Sequence, residues 1–155
     1  MSDLRELYQD IILDHGRHPR NFHAIVDPSH FAHGHNPLCG DRVTVYIEIE
    51  DGRVKDVSFE GRGCAISTAS ASLMTEILKG KTLEEADALF KAFHAEVTGG
   101  AAPAVPEALQ DDLERLEPLE GVKAYPARVK CATLAWHAFE AALKNGAIGA
   151  TVKTE

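Results

Sequence analysis

Three cysteines and one aspartate stand where they could act together on a metal or on sulfur. They are Cys39 and Asp41 in Asn36-Pro37-Leu38-Cys39-Gly40-Asp41, Cys64 in Gly61-Arg62-Gly63-Cys64, and Cys131 in Val129-Lys130-Cys131. Each cysteine falls where the residue pattern joins a loop to a strand or helix, outside any apolar stripe. Three thiolates and a carboxylate make the four-ligand set that a tetrahedral zinc or one iron–sulfur cluster requires. Cys64 and Cys131 are both expected at helix N-termini, where unpaired N–H groups and the helix dipole favour thiolate over thiol.

Blander readings stand beside these. A free cysteine is often a small buried hydrophobe, and for Cys64 and Cys131 that alternative stays open. Cys39 fits it less well, because Asn-Pro before it and Gly-Asp after it make a polar turn. Asp41 would otherwise cap that turn through its own side chain. Cys-x-Asp is a weak signal alone, and no Cys-x-x-Cys pair strengthens it. Gly61 and Gly63 are expected to let the backbone turn sharply enough for Cys64 to face the other ligands. His15, His18, His33 and His35 could add ligands, although histidine in a polar loop is usually solvated. Arg128 and Lys130 flank Cys131 and could steady its thiolate. His94 and His137 are expected on the helix surface.

The elements that must position these groups follow from periodicity. Leu4, Leu7, Tyr8, Ile11 and Ile12 have helical spacing after an Asp3/Glu6 capping box, and that helix should stop near Gly16. Residues 20–41 read as irregular, with at most a short strand at 22–26. Val43, Val45, Ile47 and Ile49 alternate with polar residues as a half-buried strand, and residues 53–60 return as its partner. A two-residue Asp51-Gly52 turn would set Ile47 opposite Asp56. Matching the apolar faces sets Ile47 opposite Val57 and Val45 opposite Phe59, and that match should prevail through a loop or bulge larger than two residues.

Residues 65–78 form a helix whose small residues allow close backbone approach. Thr82 and Glu85 form a capping box for a helix reaching about residue 97. After a loop at 99–106, residues 107–117 read as an acidic helix with Leu109, Leu113 and Leu116 inward, and 121–130 as a connector. The last helix begins near Cys131, buries Leu134, Ala135, Ala138, Phe139, Ala142 and Leu143, and ends at Asn145-Gly146. The expected class is α+β: a small antiparallel sheet of two to three strands covered on one side by helices.

At 155 residues, with 45% hydrophobic and 26% charged residues, the chain is ordinary for one soluble domain. The net charge of −8 points away from nucleic acid and anionic lipid as partners. The first residues contain no apolar signal core, and no run approaches the ~20 apolar residues of a membrane span, so a cytoplasmic location is expected. Three cysteines, an odd number in a reducing compartment, argue for ligands or a nucleophile over a disulfide framework.

Taken together, Asn36-Pro37-Leu38-Cys39-Gly40-Asp41, Gly61-Arg62-Gly63-Cys64-Ala65-Ile66-Ser67, Ser72-Leu73-Met74-Thr75-Glu76 and Lys130-Cys131-Ala132-Thr133-Leu134-Ala135-Trp136 closely resemble the IscU/SufU family of iron–sulfur cluster assembly proteins, also known as NifU N-terminal-like. The likeness runs from the first helix to Leu143. It looks closer to the SufU branch: Lys130, not histidine, precedes Cys131, and Ala124-Tyr125-Pro126-Ala127-Arg128 stands where the IscU branch carries a chaperone-read Leu-Pro-Pro-Val-Lys. The spacing between Cys64 and Cys131 is also longer, which the resemblance assigns to an insertion at about 99–122. The tail from about 149 to 155 is expected to be flexible.

The resemblance implies a SufE/NifU-like fold and a protein that takes sulfur from a PLP-dependent cysteine desulfurase for later delivery to a scaffold or apo-proteins. Cys39, Asp41, Cys64 and Cys131 would hold Zn²⁺, with Cys39 as the sulfur acceptor. The nearest alternative uses the same four residues to build a [2Fe–2S] cluster. A free-standing enzyme with nucleophilic Cys39 would need a base such as His35 and an enclosed pocket. A purely structural zinc domain would usually draw its ligands from close pairs. On this reading the chain is an accessory or scaffold protein, not a self-contained enzyme.

Overall fold

The alternation of Val43, Val45 and Ile47 with polar neighbours becomes strand β2 (Asp41–Glu50), and its partner is β3 (Arg53–Arg62), in a computed structural model that describes residues 2–38, 40–101, 103–145 and 151–153. The hairpin satisfies both turn chemistry and apolar matching. Asp51 and Gly52 have φ of 55° and 74°, the paired left-handed geometry of a tight two-residue turn, flanked by the pairs Glu50–Arg53 and Ile49–Val54. The register then shifts between Glu48 and Ile49, leaving Lys55 as an extra residue. Beyond it Ile47 stands opposite Val57 and Val45 opposite Phe59, as expected. The turn itself is therefore two residues, and a bulge one step later restores the buried face.

Two further strands complete the sheet, in the order β3-β2-β1-β4: β1 (His30–Asn36), antiparallel to β2, and β4 (Thr151–Lys153), parallel to β1. The sheet thus has four strands where two to three were expected. Residues 30–36 read as irregular in sequence because their inward positions are Ala32, Gly34 and Asn36, without a large apolar residue. They are small because a helix lies close above them: a Cβ on Gly34 would stand 3.0 Å from Leu134 Cδ1 and from Val43 Cγ1. The suggested strand at 22–26 reduces to a single bridge from Phe22 to Phe59, and Val26 is exposed. Residues 151–153 of the expected tail are β4.

The helices are α1 (Ser2–Arg17), α2 (Ala65–Leu78), α3 (Leu83–Thr98), α4 (Gln110–Glu114) and α5 (Pro126–Asn145). The Asp3 side chain of the expected first cap lies outside the described residues. The Thr82 capping box is present in full, and Gly99 (φ 79°) ends α3. The small residues of α2 do permit close approach, since a Cβ on Gly16 of α1 would sit 3.3 Å from Ala65 Cβ. One cluster of buried side chains joins Val45, Ile47, Val57 and Phe59 to Met74, Ile77, Leu89, Phe93, Trp136 and Phe139. Trp136 keeps its N–H satisfied by donating to Ser70 Oγ at 3.2 Å. Leu143 is only half-buried. His94 and His137, expected at the surface, are half-buried with ring centroids 5.5 Å apart, and burial pushes the His137 pKa down. No described helix is long and apolar enough to cross a membrane.

The expected acidic helix is broken into a 3₁₀ turn at Glu107–Leu109, α4, and a longer 3₁₀ segment at Glu117–Ala124. Leu109, Leu116, Leu119 and Val122 anchor these pieces in the core, while Leu113 is half-buried. Where the 3₁₀ segment meets α3, Glu96 lies against Glu120. Burial first, then hydrogen bonding to Glu120, raises its pKa from 4.5 to about 7. A carboxyl whose folded pKa is raised costs no stability below its unfolded value, progressively more as pH climbs to the folded value, and a constant amount above. Glu96→Gln should therefore raise the melting temperature at pH 8 by about 2–4 °C, roughly 1 kcal/mol after allowing for solvent screening. The gain should vanish near pH 4.5, and thermal scans at both pH values check it.

Candidate metal centre

The sheet end where β2 begins and β3 finishes brings the sequence-distant ligands together. Asp41 opens β2 on the inward side, shares that side with Val43 and Val45, and is buried. Its Oδ1 accepts the Cys64 N–H at 3.0 Å, and its Oδ2 lies 3.7 Å from Cys64 Sγ. Asp41 thus does cap, but the segment it caps is the start of α2. The local turn is closed by Asn36, whose backbone O accepts Gly40 N–H at 2.8 Å and whose Oδ1 accepts Leu38 N–H at 3.2 Å.

Cys64 is the N-cap of α2, as the sequence suggests, and its sulfur accepts the Ser67 N–H at 3.4 Å. Gly61 and Gly63 make that position reachable. Gly61 has φ 152°, and a Cβ there would lie 2.1 Å from the Arg42 carbonyl oxygen. A Cβ on Gly63 would stand 3.0 Å from Asp41 Oδ1. Any side chain would push the α2 cap away from the carboxylate.

Cys131 departs from expectation. The last helix starts five residues earlier, at Pro126, a residue suited to the first helical position, so Cys131 sits in the second turn and is buried. The dipole acts less there. Its sulfur has other neighbours: Asn36 Nδ2 at 3.9 Å, and Ala127 O at 3.7 Å as acceptor for a thiol proton. The Arg128 guanidinium, hydrogen-bonded to Cys131 and attracted by the charges of both Cys64 and Cys131, has its pKa raised further. Asn36, fully buried, is a site residue that sequence reasoning missed, and its only signal in the sequence is its place before Pro37 in the segment that carries Cys39.

One donor atom each from Asp41, Cys64 and Cys131 lies within 4.8 Å of the others. Bonds of about 2.3 Å to a tetrahedral zinc would separate neighbouring sulfurs by about 3.8 Å, so a contraction of about 1 Å would close the set on an ion. Three protein ligands from three elements fit a metal. Cys39 lies outside the described residues, between Leu38, which is exposed, and Gly40 in the β1–β2 connection. None of the histidines joins this group among the described residues. His15 is buried with Nδ1 2.7 Å from Ser72 Oγ, His33 Nδ1 lies 2.8 Å from Thr44 Oγ1, and His35 stands opposite Arg42.

Known proteins share this chain's sequence pattern and fold. The family model described as the NifU-like N-terminal domain matches residues 7–147. An iron–sulfur cluster assembly scaffold protein IscU of Streptococcus pyogenes serotype M1 is 39% identical over 147 residues, covering 95% of this chain and 89% of that protein. The zinc-dependent sulfurtransferase SufU of Bacillus subtilis is 40% identical over 141 residues, 90% of each. A solved structure of an iron–sulfur cluster assembly scaffold protein for the SUF system from Fervidobacterium islandicum AW-1 superposes with a TM-score of 0.80. It is 34% identical, covering 90% of this chain and 98% of that one.

Proposed function

Because the chain belongs to the NifU-like N-terminal domain family, we propose that it serves iron–sulfur cluster assembly by accepting sulfur from a PLP-dependent cysteine desulfurase at a zinc-loaded cysteine site. The observation that carries this reading is the convergence of Asp41, Cys64 and Cys131 within 4.8 Å from three separate elements. Cys39 is the proposed fourth ligand and the sulfur acceptor. Zinc, when bound, would hold thiolates deprotonated and exchange ligands without redox chemistry.

The chain's own groups would do the rest. Cys64 and Cys131 are anchored in helices and serve as fixed ligands. Asp41, already engaged by the Cys64 N–H, is the weaker oxygen ligand. The Cys39 thiolate would attack the outer sulfur of the donor's persulfide, forming one S–S bond as the donor's S–S bond breaks and the donor cysteine leaves as thiolate. Recipient scaffolds or apo-proteins would then take that sulfur.

The scaffold reading uses the same four residues for a [2Fe–2S] cargo and is favoured by the name of the Streptococcus relative. Protein purified without oxygen decides between them. About one zinc per chain with no visible absorbance is expected. Sulfide-to-iron charge-transfer bands with iron in place of zinc would favour the scaffold.

A further inference from the structure

On the sheet face turned away from the helices, at the end nearest the thiols, strand register opposes two arginines and places a histidine beside them. Arg62 of β3 stands directly opposite Arg42 of β2, and Arg42 opposite His35 of β1. Arg42 and Arg62 are exposed. Among the described residues neither arginine has a carboxylate within ion-pair distance, whereas six lysine or arginine ion pairs form elsewhere. Like charges directly opposed across a strand pair are destabilising. In a chain of net charge −8 with 24 acidic residues, two arginines kept opposed and unpaired call for an anion from outside.

The rest of the face says what kind. One row further along stand Glu60, Thr44 and His33, and beyond them Glu48 opposes Asp56. Glu60 accepts the Tyr46 hydroxyl at 2.8 Å and is turned to its own face. A nucleic-acid backbone or a lipid surface would run onto these carboxylates. A row three strands wide, about 10 Å, is longer than a small anion and suits a short run of acidic side chains. A cavity of about 440 Å³ lined by His33, His35, Arg42, Thr44 and Glu60 adjoins the row and leaves room for such side chains.

The position ties the row to the thiols. Arg42 follows Asp41, and Arg62 lies two residues before Cys64. The close seating of Gly61 on the Arg42 carbonyl locks the two arginine-bearing strands together there. We infer that the Arg42–Arg62 row grips a short acidic segment of the sulfur donor, which reaches over the end of the sheet to bring its persulfide to the cysteine site. This inference rests on the sulfur-transfer reading.

The test titrates the full zinc-loaded chain into a cysteine desulfurase and cysteine, at about 0.05 M and 0.5 M salt. If the unaltered chain stimulates no desulfurase, the sulfur-transfer reading fails and takes this inference with it. If it does, Arg42→Glu/Arg62→Glu should raise the half-saturating concentration about tenfold or more at low salt, leave the saturated rate within about twofold, and lose most of its effect at high salt. Arg42→Lys/Arg62→Lys should restore most of the affinity. An unchanged half-saturating concentration, or a lost saturated rate at unchanged half-saturation, overturns the inference. So does a reversal that only dissolves self-association, seen by sedimentation. Should the reversed pair lose zinc or fold, Arg42→Ala/Arg62→Ala carries the same test: an increase of about threefold or more supports the row, and no change refutes it.

Discussion

Cys39→Ser should abolish stimulation of a cysteine desulfurase, a loss of about 100-fold or more, while leaving the melting temperature within a few degrees. The size of the effect follows from chemistry. A serine hydroxyl is not ionised near neutral pH and does not displace a thiolate from a persulfide, whereas a thiolate does so readily. The selectivity follows from placement. Cys64 caps α2 and takes a hydrogen bond from Ser67, and Cys131 is buried in the second turn of α5. Moving either sulfur to a donor would strip a helix cap or open the core. Cys39 instead falls between Pro37 and Gly40, whose φ of 75° belongs to a turn. Mass spectrometry after incubation with desulfurase and cysteine should find about 32 Da added on Cys39 in the unaltered protein and none on the serine variant. Sulfur mapped to Cys64 or Cys131 with Cys39 bare would refute the assignment.

Stripping the metal should lower the melting temperature by about 6–12 °C, corresponding to about 3 kcal/mol. An ion at this position would join the start of β2, the cap of α2 and the body of α5, whose ligands follow one another at intervals of 23 and 67 residues (64 − 41 and 131 − 64). Binding to the folded chain alone adds its free energy to stability. Without the ion, Asp41, Cys64 and Cys131 lose the bonds that would tie their three elements together. Cys131→Ser should reproduce most of this loss, since it also places a hydroxyl in a buried sulfur's position. Calorimetry before and after chelation, and after restoring zinc, tests it. An unchanged transition would mean that the convergent side chains do not hold a metal that matters for folding.

The signals legible in the residues alone are local. Thr82 with Glu85 wrote a helix start, and the alternation from Val43 to Ile47 a strand with one buried face, because each signal acts within a few residues of backbone. The ligand types were legible for the same reason: cysteines and an aspartate in glycine-rich junctions do not read as core. Other features depend on neighbours far along the chain and emerge only on packing. Strand β1 carries no apolar alternation of its own, since α5 presses so close that only Ala32, Gly34 and Asn36 fit beneath it. The Asp51-Gly52 turn and the Ile47–Val57 pairing conflict in sequence, and a bulge at Lys55 reconciles them once both strands have a core to face. Cys131 gains its polar neighbours from Asn36, 95 residues away, and from Arg128 one helical turn back. Periodicity reads one element at a time, whereas a buried thiol's environment is set by whichever elements the packed core brings against it.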